Sequence, residues 1–228
     1  MEFSLCALMA SQFSYVAFFD LDETILNVNS GKLFWEYCWQ HQVYNLKDLG
    51  NLGFSIIRFA TGLDEVDELI ENWAKNFANW SEEKMNQISL GVFQQKTKRA
   101  IREKARLEIE QHRNQGGKSV ILSASTQFIC EPIKNYMAID DLICTQLEIK
   151  NGRYTGKLNS PHIYDHQKYI SALSYCEQEG FDIREAHYYG DAYTDRHVLR
   201  EVGHPHCITP DSKLKDYADL HGWPVHHW

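Results

Sequence analysis

Val16-Ala-Phe-Phe-Asp20-Leu-Asp22-Glu-Thr24-Ile-Leu26 is an apolar run that ends in two carboxylates one residue apart, followed by a threonine. An apolar run of this length reads as a buried parallel strand, and the C-terminal ends of such strands are where open α/β sheets place their chemistry. Side chains at i and i+2 of an extended chain point the same way, and a bend after Asp20 would bring Asp22 over the same place from another direction. One acid could then attack while the other moves a proton. Taken alone, Asp22-Glu-Thr24 equally fits a helix N-terminus capped by short polar side chains.

Three further signals follow in order. Lys118-Ser-Val-Ile-Leu-Ser123-Ala124-Ser-Thr126 is an apolar strand running into small hydroxyl residues after the Gly116-Gly117 break. Ser123 is placed there to hydrogen-bond a phosphate oxygen, or to cap the helix that begins near Thr126. Lys168 falls near the start of a helix expected from Asp165 to about Gln178, with Gly180 behind it; on its own it reads as a solvated charge. Ala186-His-Tyr-Tyr-Gly190-Asp191-Ala-Tyr-Thr-Asp195 is a strand, a glycine turn and two acids at i and i+4. That spacing brings two carboxylates to one side of a turn, as a hard, oxygen-seeking cation requires, although a pair of helix caps has the same spacing.

Together, Asp20-x-Asp22-x-Thr24, Ser123, Lys168 and Gly190-Asp191-x-x-x-Asp195 resemble the haloacid-dehalogenase-like hydrolase superfamily in order and in context, over nearly the whole chain. Within it the chain is most similar to the phosphoserine-phosphatase-like branch, whose cap is inserted after the first strand. The resemblance implies a Mg²⁺-dependent phosphoric monoester hydrolase. Asp20 would attack phosphorus, and Asp22 would protonate the leaving alcohol and then activate water. Lys168 and Ser123 would hold the nucleophile and the equatorial oxygens. Asp20, the main-chain carbonyl of Asp22, and Asp191 would hold the metal, with Asp195 as a further ligand or its support. Thr24 and Ala124, beside the first two motifs, complete the expected substrate contacts. The dehalogenases of the superfamily lack the second Asp, so Asp22 favours phosphoryl chemistry.

The 228 residues are 43% hydrophobic and 24% charged, enough for one sizeable core with a cap. A net charge of −8 argues against a nucleic-acid or anionic-membrane partner that needs a broad basic surface. The expected partner is a small phosphorylated metabolite; the oligomeric state is left open. Six Cys show no CxxC pair, which fits free thiols in the cytoplasm. Leu5-Cys-Ala-Leu-Met-Ala10 is too short, and its leader too acidic at Glu2, for a secretory signal, and no window approaches the ~20 apolar residues of a membrane span.

The expected architecture is α/β: a doubly wound, Rossmann-like parallel sheet from 13–29 and 96–228, with a helical cap over 30–95. Helical patterning runs from Ser30 to Asn114, with a stripe of Val66, Leu69, Ile70, Trp73 and Phe77 and a charged stretch carrying Ile101, Ala105 and Ile109 on one face. Leu142–Ile149 and Arg153–Leu158, joined by Asn151-Gly152, read as a hairpin flanking the site. Phe34, Trp35, Tyr37 and Trp39 crowd one helix and read as cap core rather than a substrate box. Phosphoserine phosphatases carry a Glu nine residues after the nucleophile to bind the substrate's amino group; Asn29 stands there, so a different substrate is expected. Arg58, a lone cation in the run Phe54–Ala60, could grip a distal anion or form a surface salt bridge. His221, His226 and His227 read as a polar terminal segment, and no metal is assigned to any His. Transfer to an alcohol on the same aspartyl-phosphate chemistry, and non-catalytic binding of a phosphate ligand, are the competing readings.

Overall fold

The computed structural model describes residues 13–43 and 66–228. Arg58, the run Phe54–Ala60 and Cys6 lie outside the described residues.

Strand β1 (Tyr15–Phe19) is the centre of a six-stranded sheet. After it come α1 (Ser30–Gln40), α2 (Val66–Ala74), α3 (Glu82–Val92) and α4 (Glu103–Asn114). Then follow β2 (Gly117–Thr126), α5 (Gln127–Met137), β3 (Asp141–Thr145) and a hairpin of β4 (Leu147–Lys150) and β5 (Arg153–Leu158). The chain ends through α6 (His166–Glu179), β6 (His187–Gly190), β7 (His204–Ile208), α7 (Ser212–His221) and β8 (Val225–His226). Sheet order is β3-β2-β1-β6-β7-β8, and every pair in it is parallel.

Both faces of β1 are covered, which explains its unbroken apolar run. Ala17 and Phe19 enter one core with Ile121, Tyr189 and Ile208, while Val16 and Phe18 enter another with Val120, Leu122 and Tyr188. Strand order reverses direction at β1, and the register sets Phe19 opposite both Ile121 and Tyr189. Asp20, Ser123 and Asp191 therefore leave neighbouring strand ends at the switch point, where a crevice opens in such sheets.

Helices α1 and α3 and the aromatic Phe77 share the first core with Phe128 of α5, so the insert between β1 and β2 packs on the sheet domain through one continuous apolar cluster. The charged helical stretch is not one helix. It breaks at Ile101, which bridges to Leu26, and the Arg102 backbone N–H donates to Ile25 O at 2.9 Å. The Arg102 guanidinium donates to Glu23 O and to Trp228 O, tying the turn after β1 to the chain's last residue.

The expected hairpin is divided differently. Asp141–Thr145 joins the main sheet as its edge, because Leu142, Ile143 and Cys144 pair with Ile121, Leu122 and Ser123, and only β4 and β5 form the hairpin. That hairpin is stitched to the insert: Tyr154 N–H donates to Trp80 O and Asn79 N–H to Tyr154 O, both at 2.9 Å. Gly156, at φ +81°, lies against Ala78 and Lys75, where a Cβ would approach to 3.0 Å.

His226 does not belong to a loose polar tail. It lies on β8 and ends a row across three strands, with His187 Nδ1 to His206 Nε2 at 3.1 Å and His206 Nδ1 to His226 Nε2 at 3.2 Å. Each neutral imidazole offers one donor and one acceptor and each imidazolium two donors, so each bond of the row is lost when both of its rings are charged. Burial, then the neighbouring histidines, hold His187 down to about 3 and His206 down to about 4. In the unfolded chain both take up protons near pH 6.5, so between there and about pH 4 the unfolded state binds more protons and stability falls with pH. We expect unfolding free energy to fall between pH 6.5 and 5, read by denaturant titration. The slope should flatten in the His187→Phe, His206→Phe double variant; identical slopes would contradict the assignment.

Candidate active site

Asp20 is the first residue beyond β1. Its backbone N–H donates to Tyr189 O at 2.9 Å, and its Oδ1 accepts from Leu21 N–H at 2.8 Å. The chain then turns within Leu21–Ile25, with Asp22 extended and Glu23 left-handed at φ +54°. That bend separates the two acids. Asp20 Oδ2 faces inward to Lys168 Nζ at 3.1 Å. The Asp22 carboxylate instead accepts from Ser30 N–H at 2.8 Å and Asn29 Nδ2 at 3.3 Å at the start of α1, and from Ser125 Oγ at 3.2 Å at the end of β2.

Lys168, on the first turn of α6, is buried and spans Asp20 and Asp195 Oδ1, the latter at 2.7 Å. Burial alone would lower its pKa, but Asp195 and Asp20 hold it above the usual lysine value. Asp195 is fully buried and accepts three hydrogen bonds: Lys168 Nζ and Tyr188 OH, the latter at 2.8 Å, donate to Oδ1, and Ala192 N–H donates to Oδ2 at 3.1 Å. Asp195 therefore buttresses Lys168. Gly190 makes room for it, since a Cβ there would stand 2.6 Å from Asp195 Oδ2. Gly190→Ala is expected to lower activity at least tenfold while the protein still folds, as read by kcat and circular dichroism; wild-type kcat would show that Asp195 need not sit where it does.

Asp20, Asp191 and Asp195 offer carboxylate oxygens that lie within 4.8 Å of one another. Thr24 Oγ1 donates to Asp191 Oδ1 at 3.2 Å, which orients it. Burial first raises the pKa of both Asp20 and Asp191 above the carboxylate range; Lys168 opposes it, and neighbouring carboxylates add to it, Asp195 and Asp22 at Asp20 and Asp20 and Asp195 at Asp191. An all-oxygen donor set under that strain fits a hard divalent cation, whose charge would hold the acids ionised. The Asp22 carboxylate stands outside this cluster. Its pKa is also raised by burial, against the pull of Ser30 and Ser125.

Ser123 is buried, and its Oγ accepts from Ser125 N–H at 3.1 Å at the end of β2. Ala124 and Asn29 line a cavity of about 420 Å³ beside Asp22, together with Phe34, Trp35 and Trp73. Asn29 is the N-cap of α1, its Oδ1 accepting from Lys32 N–H at 3.0 Å, and its amide supports Asp22. The aromatic crowd on α1 is split: Phe34 is core and cavity wall at once, Trp35 lines the cavity, Tyr37 covers Gly91, and Trp39 is exposed. Sequence reasoning missed Tyr188, which braces Lys168 and Asp195, and Ser30 and Ser125, whose hydroxyls meet at 2.8 Å beneath Asp22. Ser125 had a signal, since it follows Ser123 by two on the same strand; Tyr188 had none beyond an inward position on β6.

A parallel sheet with acids at its switch point and a helical insert after β1 makes this an α/β protein whose site lies at the C-terminal ends of its strands. Residues 17–200 match the model of the haloacid dehalogenase-like hydrolase family, and the chain belongs to that family. A histidinol-phosphatase of Neisseria meningitidis serogroup C is 24% identical, covering 92% of this chain and 97% of its own. The fold is shared with a Bordetella pertussis Tohama I protein of unknown function, at TM-score 0.86 and 20% identity over 93% of this chain and 97% of that one. It is also shared with phosphoserine phosphatase captured as a phospho-aspartyl intermediate analogue, at TM-score 0.64 and 16% identity over 93% and 92%. No helix among the described residues is long and apolar enough to cross a membrane.

Proposed function

We propose that the protein is a Mg²⁺-dependent phosphatase that hydrolyses a small phosphomonoester through a phosphorylated Asp20. The carrying observation is the division of labour between the two acids: Asp20 lies against Lys168 in the acidic cluster, and Asp22 faces the cavity with its pKa raised. A phosphomonoester dianion repels a carboxylate, so attack needs positive charge on both. Lys168 supplies one such charge within the site. Asp20, Asp191 and the main-chain carbonyl of Asp22 would hold Mg²⁺, which when bound adds the remaining charge and polarises the phosphoryl group. Asp195 acts through Lys168. Ser123 and backbone N–H groups after Asp20 would hold the equatorial oxygens. Asp22, kept protonated more readily by burial, would give its proton to the leaving alcohol and then take one from water. Thr24 orients Asp191 instead of touching substrate. We assign 30–95 as the cap and 13–29 with 96–228 as the catalytic domain, with the cap wall supplying substrate contacts. The named activities of the histidinol-phosphatase and phosphoserine phosphatase relatives support a small phosphorylated metabolite as substrate. The five free, buried cysteines of the described residues favour the cytoplasm.

The test is turnover of an aryl phosphate and a panel of metabolite esters. Activity is expected to vanish on chelation, return with Mg²⁺ and return poorly with Ca²⁺, whose larger and looser shell would misplace Asp20. Full activity after exhaustive chelation would remove the metal. Product carrying the phosphoryl group on an added alcohol, in place of free phosphate, would favour the transferase reading.

A further inference from the structure

We infer that Ser30 and Ser125 are positioning residues for Asp22, acting as one unit whose paired hydroxyls hold its carboxyl toward the leaving oxygen. This rests on the phosphatase reading, which gives Asp22 the proton transfer to that oxygen, and it names what keeps the acid in place. Asp22 needs such a support. It lies on the bend after Asp20, with extended backbone and the left-handed Glu23 behind it, so no regular strand or helix fixes its direction. A general acid has to stand within about 2.6–3.2 Å of the oxygen it protonates, and a carboxyl on two free torsions does not stay there unaided.

Two elements converge on it. At the start of α1, Ser30 is fully buried and its N–H donates to Asp22 Oδ1 at 2.8 Å. At the end of β2, Ser125 Oγ donates to Asp22 Oδ2 at 3.2 Å, and the two hydroxyl oxygens lie 2.8 Å apart. A hydroxyl carries one proton, so with that of Ser125 directed at Asp22 the Ser30 hydroxyl donates to Ser125, and the bonds run one way toward the carboxylate. The strand is shaped for this contact. Ser123 pairs with Cys144 and Thr126 with Thr145, so Ala124 and Ser125 stand outside the β2–β3 ladder as a bulge. Bulges beside active sites re-aim side chains, and here the Ser125 N–H turns back to Ser123 Oγ at 3.1 Å while its hydroxyl reaches Asp22. Asp22 and Ser125 both line the cavity of about 420 Å³ that would receive the leaving group.

The experiment measures kcat/KM of the Mg²⁺-loaded protein for 4-nitrophenyl, phenyl and phenylethyl phosphates, whose alcohols leave with increasing need of a proton. In a reaction through a phosphoenzyme, kcat/KM reports the steps up to departure of the alcohol, so slow breakdown of the intermediate does not mask the effect. Ser125→Ala is expected to lower the value at least about tenfold for phenylethyl phosphate and less than about threefold for 4-nitrophenyl phosphate. Ser30→Ala keeps the N–H on Oδ1 and tests the hydroxyl alone; its losses are expected to follow the same order of esters. The double variant is expected to lose no more than Ser125→Ala, as groups that act as a unit do. Ser125→Thr, which retains the hydroxyl, is expected to keep the wild-type dependence on the leaving group. Unchanged values or equal losses on all three esters in Ser125→Ala, a double variant that multiplies the single losses, or a Ser125→Thr as selective as Ser125→Ala would each overturn the inference while leaving a phosphatase. If the wild type hydrolyses none of the esters, the phosphatase reading fails and this inference with it.

Discussion

Asp20→Asn is expected to lower phosphomonoester hydrolysis by at least about three orders of magnitude while leaving the protein folded and no less stable. The substitution keeps shape but removes the attacking charge and a ligand oxygen from the acidic cluster. It also removes one of the crowded carboxylates whose pKa values burial and repulsion push up, so the folded state loses repulsion along with its ion pair to Lys168. Lys168 retains Asp195 at 2.7 Å. The measurement is kcat alongside a denaturant titration. Activity above a few per cent of wild type in a carefully purified variant would defeat covalent catalysis by Asp20, and collapse of the fold would show that the carboxylate is structural.

Lys168→Met is expected to cost both activity and stability. Lys168 is buried between two carboxylates, and taking one partner from a buried ionic group leaves the others uncompensated, a loss of about 3–5 kcal/mol. In the proposed reaction its charge would also face the transferring group, and removal of one such donor lowers kcat on the order of a hundred- to a thousandfold. The stability loss should depend on pH with a defined sign. Lys168 lowers an Asp20 pKa that burial already holds above its unfolded value, so without it that pKa rises further, and the folded state binds more protons and regains stability as pH falls. The difference in unfolding free energy between variant and wild type, measured in chelator, should therefore shrink from pH 8 to pH 5. A difference that grows on acidification would contradict the electrostatic role of Lys168.

What the sequence made legible depended on whether the signal was local. The run Val16–Phe19 is apolar at every position because both faces of β1 are covered, and the acids follow where the strand stops. Lys168, by contrast, looks like any charged residue at a helix start; only the packing of α6 on the sheet puts its ammonium between Asp20 and Asp195. Tyr188 is one of two adjacent tyrosines, and the pleat alone decides which of them reaches Lys168. The edge strand β3 was misread with the hairpin because a short apolar segment before an Asn-Gly turn has the same pattern in either setting. Asn29 lines the cavity, and what its position in the chain could not tell is that its side chain also caps α1 and supports Asp22. The aromatic residues of α1 and α2 gave no sign of enclosing a cavity, since core and cavity wall share one composition.

The most direct measurement is rapid acid quench of the metal-loaded protein during turnover of an aryl phosphate, followed by mass spectrometry of the peptide containing Asp20 and Asp22. A covalent mechanism through Asp20 predicts a transient peptide heavier by one phosphoryl group, mapped to Asp20, formed as the aryl alcohol is released and absent in Asp20→Asn. Steady release of phosphate with no phosphorylated peptide at any quench time, or the group on a different residue, would contradict it.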